Sequence, residues 1–206
     1  MLKIGIFFGT FNPLHNGHLM LAQYVVDNTD LDEVLFMPTP SSSFKEHADG
    51  LLSYSDRCSS IYKATLGLPK LGLSTVENEL PAPHYTSETL RFLSENCPDD
   101  EFAVIFGADN LGQIETFHNF RYILDNHDIY VFPRGEADIS HIRLTYSQAR
   151  IHVLEDAPLT NLSSTFVRQQ LAKGNDISVY VPAAVVTMLA QFEQRSIFMN
   201  KQTNKK

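Results

Sequence analysis

Short apolar runs, β-branched or aromatic, recur along the chain and alternate with stretches of helical period, the pattern of a parallel sheet covered on both faces. They predict strands at about 2–8, 33–37, 71–75, 102–106, 128–132 and 150–154. Between them, His18, Leu19, Leu21, Ala22, Val25 and Val26 form one amphipathic stripe, and Ser53 to Leu66 a second helix with Ser53 as its N-cap. Thr86 to Asn96 is a third, with Leu90 and Leu93 on one face. Ser164 to Lys173, closed by Gly174, and Pro182 to Phe192, with proline in its first turn, complete the set as C-terminal helices. Successive βα units require right-handed crossovers, hence an α/β fold with a doubly wound parallel sheet. In such a sheet ligands bind outside the carboxyl ends of the strands, at the switch point. Pro38 to Asp49 reads as a long loop after the second strand, of the length that often carries function.

Composition narrows the picture. With 206 residues, 43% of them hydrophobic, the chain can bury one core, so residues 1–195 are read as a single domain and 196–206, rich in lysine, as a solvated tail. The formal net charge of −8 argues against a nucleic-acid backbone as partner and requires any anionic ligand to be met by a local positive pocket. Cys58 and Cys97 show neither CxxC nor zinc spacing, and no run approaches the length of a membrane span. A cytoplasmic protein without a membrane partner is expected.

The chemistry-bearing residues sit at two junctions. At the end of the first strand, Gly9-Thr10-Phe11-Asn12-Pro13-Leu14-His15-Asn16-Gly17-His18 runs directly into a helix. Glycine permits close backbone approach, the helix start offers N–H groups with a positive dipole end, and two imidazoles three residues apart can both donate to phosphate oxygens. A metal reading, with His15 and His18 as an i, i+3 ligand pair, stays open but lacks a carboxylate or cysteine at recognisable spacing. Near the other end, Leu162-Ser163-Ser164-Thr165-Phe166-Val167-Arg168 places hydroxyls before a helix and a guanidinium one turn inside it, which suits a polyphosphate. Neither GxxxxGK[ST] nor GxGxxG occurs, which disfavours P-loop enzymes and standard dinucleotide-binding dehydrogenases.

The first stretch resembles the GTF[DN]PxHxGH signature of the nucleotidyltransferase superfamily, and Ser163-Ser164-Thr165-Phe166-Val167-Arg168 its ISSTxIR-type signature. Further segments in the same order resemble the bacterial nicotinate-nucleotide adenylyltransferases: Phe44-Lys45, Tyr85 to Leu90, Phe106-Gly107-Ala108-Asp109-Asn110, Phe117-His118 and Phe132-Pro133-Arg134-Gly135. The resemblance implies a Rossmann-like nucleotidyltransferase fold and transfer of AMP from ATP to nicotinate mononucleotide, with Mg²⁺ held mainly by the ATP phosphates rather than by protein ligands. It assigns His15, His18, Lys45 and Arg168 to catalysis. Gly9, Thr10, Phe11, Gly107, Asp109, Arg134, Ser164 and Thr165, with His15, His18 and Arg168, are assigned to ATP, and Thr86, Phe117 and His118, with Lys45, to the pyridine mononucleotide. Arg57 and Glu77 match family positions without an assigned role. The family often has glycine at Phe8, histidine at Phe44 and tryptophan at Phe117, and Leu80 to His84 replaces its Arg-x-Gly-Pro-Ser. Because these departures cluster at the acceptor end, nicotinamide mononucleotide or phosphopantetheine as acceptor, or a non-catalytic nucleotide-binding regulator, stay open alternatives. Homo-oligomer formation is left open as well.

Overall fold

The computed structural model describes residues 1–40, 52–134 and 137–190. All six expected strands form: β1 (Lys3–Gly9), β2 (Glu33–Pro38), β3 (Leu71–Leu73), β4 (Glu101–Gly107), β5 (Ile129–Phe132) and β6 (Ile151–Val153). They make one parallel sheet in the order β3-β2-β1-β4-β5-β6, the doubly wound arrangement whose switch point falls between β1 and β4. Alternation along the strands divides the core. Phe102, Val104 and Phe106 of β4 pack on one face, with Ile4 and Ile6 of β1, while Ala103 and Ile105 pack on the other, with Phe7.

Helices α1 (Asn16–Asn28), α2 (Tyr54–Thr65), α3 (Thr86–Asn96) and α7 (Ser164–Ala172) follow the apolar stripes, and an eighth helix, α8, covers 183–190. Ser53 caps α2 by accepting from the Asp56 N–H. Gly174 follows α7 with φ +72°, its N–H closing on the Leu171 carbonyl at 2.9 Å, the left-handed stop that glycine permits. Pro182 ends up just before α8, its carbonyl accepting from Val185 at 2.8 Å; Phe192, the far limit of the expected helix, lies outside the described residues. Three short helices were not anticipated: α4 (Ala108–Leu111), α5 (Phe120–Asn126) and α6 (Ser140–Thr145). Among the described residues no helix is long and apolar enough to cross a membrane, and both cysteines are free thiols.

Candidate active site

At the carboxyl end of β1 the chain turns sharply, with Phe11 at φ 48°, a left-handed conformation uncommon for a bulky residue. Its ring is buried, edge-on to Phe7, Phe36 and His18. This changes the account of Gly9. A Cβ there would meet the Phe11 ring at 2.8 Å, so the glycine makes room for the turn's own aromatic wedge.

His15 is the N-cap of α1, a position more often held by Ser, Thr, Asp or Asn. Its Nδ1 accepts from the His18 N–H at 3.3 Å, and the His18 Nδ1 accepts from the His15 N–H at 3.2 Å, a capping box made of two imidazoles. The rings stack at 3.5 Å between centroids. Because both Nδ1 atoms accept, the proton of each neutral ring resides on Nε2. Burial, followed by the Arg134 charge, lowers the pKa of His15 to about 4; burial, His15 and Arg134 hold His18 well below the usual histidine range. Both are therefore neutral donors at pH 7. Helix N–H groups play a smaller part than the sequence suggested. The Asn16 N–H is taken by the Tyr180 carbonyl at 2.8 Å and that of His18 by the cap, which leaves Gly17 as the first-turn N–H without a partner among the described residues.

The second junction closes on the first. Ser163 caps α7 by accepting from the Phe166 N–H at 3.1 Å, and Ser164 Oγ donates to the Pro13 carbonyl at 2.9 Å. Arg168 donates to the Asn12 carbonyl at 2.6 Å and to Thr165 Oγ1 at 3.2 Å. Two motifs some 150 residues apart thus face one cavity of about 570 Å³ at the switch point, lined also by Gly107, Arg134 and Asn110. Gly9, Thr10, Phe11, His15, His18, Ser164, Thr165 and Arg168 all line it. At its rim Arg134 pairs with Asp109 at 3.6 Å. Gly107 has no room for a Cβ, which would collide with the Asp109 carboxylate and lie 3.1 Å from Arg134. Asn110 and Thr160 also line the cavity; Asn110 stood inside a recognised segment, whereas Thr160, in a loop without pattern, carried no sequence signal.

Thr86, Phe117 and His118 do not line that cavity but are brought together with one another. Thr86 opens α3, and Ser87 Oγ donates to the His118 carbonyl at 2.9 Å. The Tyr85 ring stacks on His118 at 4.1 Å. Phe117 is half-buried, packing edge-on against Phe106 at the margin of the core, beside the more exposed rings of Tyr85 and His118. Lys45 and the Phe44 beside it lie outside the described residues.

The cytidylyltransferase-like family profile matches residues 6–170. A probable nicotinate-nucleotide adenylyltransferase of Flavobacterium johnsoniae is 40% identical over 184 residues, 89% of this chain and 94% of the relative. One of Bacteroides fragilis is 38% identical over 189 residues, 92% of each chain. Among solved structures, Plasmodium falciparum nicotinic acid mononucleotide adenylyltransferase complexed with NaAD superposes with a TM-score of 0.78 at 18% identity, covering 93% of this chain and 96% of that one, a likeness of fold. With a parallel sheet of this order, both signature motifs converging on its switch point and relatives matched over nearly their whole length, the chain belongs to the cytidylyltransferase-like family of nucleotidyltransferases, among the nicotinate-nucleotide adenylyltransferases.

Proposed function

We propose that the protein transfers AMP from ATP to nicotinate mononucleotide, forming nicotinate adenine dinucleotide and pyrophosphate, a step of NAD biosynthesis. The observation that carries this reading is the single cavity into which His15, His18, Ser164, Thr165 and Arg168 converge from opposite ends of the chain. ATP occupies it. The acceptor's phosphate oxygen attacks the α-phosphorus in line, the bond to the bridging oxygen breaks, and pyrophosphate leaves with the electron pair; no protein nucleophile is required.

In this reading His15 and His18 donate Nε2–H bonds to the phosphates, His18 nearest the reacting centre. Ser164, Thr165 and Arg168 hold the β and γ phosphates. Gly9, Thr10 and Phe11 shape the turn beneath them, Asp109 and Gly107 meet the ribose, and the segment ending at Arg134 reads the adenine. Thr86, His118 and Phe117 form the pyridine end, and the family resemblance adds Lys45. In the same reading Mg²⁺ would be held mainly by the nucleotide's own phosphate oxygens, whose charge it would neutralise. A cytoplasmic location accords with the two free thiols. The test is pyrophosphate release with Mg²⁺ and ATP, comparing nicotinate mononucleotide, nicotinamide mononucleotide and phosphopantetheine. Preference for the first is expected; ATP binding with no release from any of the three would overturn the assignment.

A further inference from the structure

Arg57, on α2, is 2% exposed, so its guanidinium sits inside the protein. Nη1 donates to the Thr10 carbonyl at 2.8 Å, and Nη2 to those of Thr39 and Pro40 at 2.9 and 3.2 Å. Among the described residues no carboxylate pairs with it. Its place explains the arrangement. Strands β1 and β2 run in register to Gly9 and Pro38, and the Thr39 N–H still reaches the Gly9 carbonyl at 3.0 Å. Beyond that rung the chains diverge, Thr10 into the phosphate turn and Pro40 away from the sheet, and the arginine fork bridges the carbonyls they leave unpaired. Thr39 also faces the buried Glu77 carboxyl, which accepts from Thr89 Oγ1 of α3 at 3.2 Å. The first residue of α3 is Thr86.

We infer that Arg57 is a positioning residue for the transfer. Its fork over Thr10, Thr39 and Pro40, continued through Glu77 to Thr89, sets the spacing between the ATP turn and α3, the helix that opens with the acceptor-side Thr86. A buried cation costs more than a neutral link would, and a polyanion in the adjoining cavity is what makes a cation the favourable choice there. Lysine replaces it only in part, because a single ammonium cannot address carbonyls on two diverging chains as a planar fork does.

This inference rests on the proposed transfer, and its test separates the two. R57M, R57K and E77L are compared with wild type for melting temperature, affinity for α,β-methylene-ATP with Mg²⁺, and kcat and KM for both substrates. In R57M, analogue affinity falls about tenfold and kcat about 10²-fold, the cost of misplacing reactants by about 1 Å. R57K, which keeps the charge and loses the fork, recovers part of both. E77L leaves analogue affinity within about threefold and raises the acceptor KM about tenfold, as the loss of one positioning contact does. Analogue affinity and kcat of R57M within threefold of wild type would overturn the inference, as would losses that vanish at a temperature where the variant is fully folded. If wild type releases no pyrophosphate yet R57M still weakens analogue binding, the transfer reading fails and the positioning role stands.

Discussion

His18 performs two tasks with two nitrogens, and substitution can separate them. Its Nδ1 accepts from the His15 N–H at 3.2 Å and so closes the reciprocal half of the capping box, while Nε2 carries the proton that faces the cavity. In H18N the side-chain oxygen stands where Nδ1 stood, so the reciprocal bond survives and the Nε2 donor is lost. In H18Q the side chain extended to place its amide nitrogen at the Nε2 position gives up the bond to the His15 N–H. Removing a preorganised donor to transition-state charge costs about 10²–10³ in kcat, or about 2.7–4 kcal/mol. Losing the reciprocal bond of the capping box, one hydrogen bond to the His15 N–H, costs about 1 kcal/mol of stability, a fall in Tm of about 2–4 °C for a chain of this size. H18N is therefore expected to melt within about 1 °C of wild type and to turn over ~10²–10³ times more slowly, the same fall in turnover being expected of H18A. H18Q is expected to melt lower and keep most of its turnover. Melting curves and continuous pyrophosphate release, measured on the same preparations, decide the matter. Near-normal turnover by H18N would remove the Nε2 donor from the mechanism, and equal losses in H18N and H18Q would show that neither amide reproduces what the imidazole does.

Burial raises the Glu77 pKa to about 7, so the folded state holds that proton more tightly than the unfolded chain does. The resulting stability is present below the usual glutamate pKa and is lost as pH rises through 7, worth about 3 kcal/mol; urea unfolding at pH 5 and pH 8 should show that slope in wild type and a flatter one in E77Q. His15 works in the opposite sense. With its pKa lowered to about 4, its contribution is present above the usual histidine value and is lost as pH falls from 6.5 towards 4, so H15N, which keeps a capping oxygen without a titrating ring, should lose less stability between those limits. Arg168 anchors the first turn through Asn12 as well as facing the cavity, so R168K is expected to raise the KM for ATP at least tenfold and to lower Tm; a KM within twofold of wild type would contradict the role given to the guanidinium.

The strands were legible because burial on both faces leaves unbroken apolar runs, and β4 is the clearest case: Phe102 to Phe106 is buried throughout and bounded by acidic residues and a glycine. The short helices were not. The 4 residues of α4 span about one turn, too little for a 3.6-residue period to appear. The first residue before α5, Asn119, adopts φ 47° and makes no side-chain cap, so the usual start signal is missing. At the site, both signature motifs were readable, while the division of labour inside them was not. Periodicity cannot show that His15 caps a helix, that Phe11 fills the space above Gly9, or that Phe117 leans edge-on against Phe106. Arg57 was least legible of all, since its partners are backbone carbonyls, which every residue possesses.

A chain of net charge −8 that binds a polyphosphate needs local means of meeting the charge. Two imidazoles stacked at 3.5 Å and largely withdrawn from water cannot both be cations, and their lowered pKa values follow from that packing. Among the described residues, fixed positive charge facing the cavity comes instead from Arg134 and Arg168, with Arg57 behind the turn, and each is already held: Arg134 by Asp109, Arg168 by the Asn12 carbonyl, Arg57 by the Thr10, Thr39 and Pro40 carbonyls. The histidines contribute oriented N–H dipoles, locked by the cap that fixes their tautomer. In the proposed transfer, donors held this way need not reorganise as charge moves onto the leaving pyrophosphate, which is how a site without a nucleophile or an acid–base pair would gain its rate. The same arrangement explains why the capping box is built from histidine: Ser, Asn or Glu would cap the helix as well, but the donors of Ser and Asn lie beside the capping oxygen and ionised Glu has none, whereas the imidazole ring holds its Nε2–H rigidly on the side away from the cap.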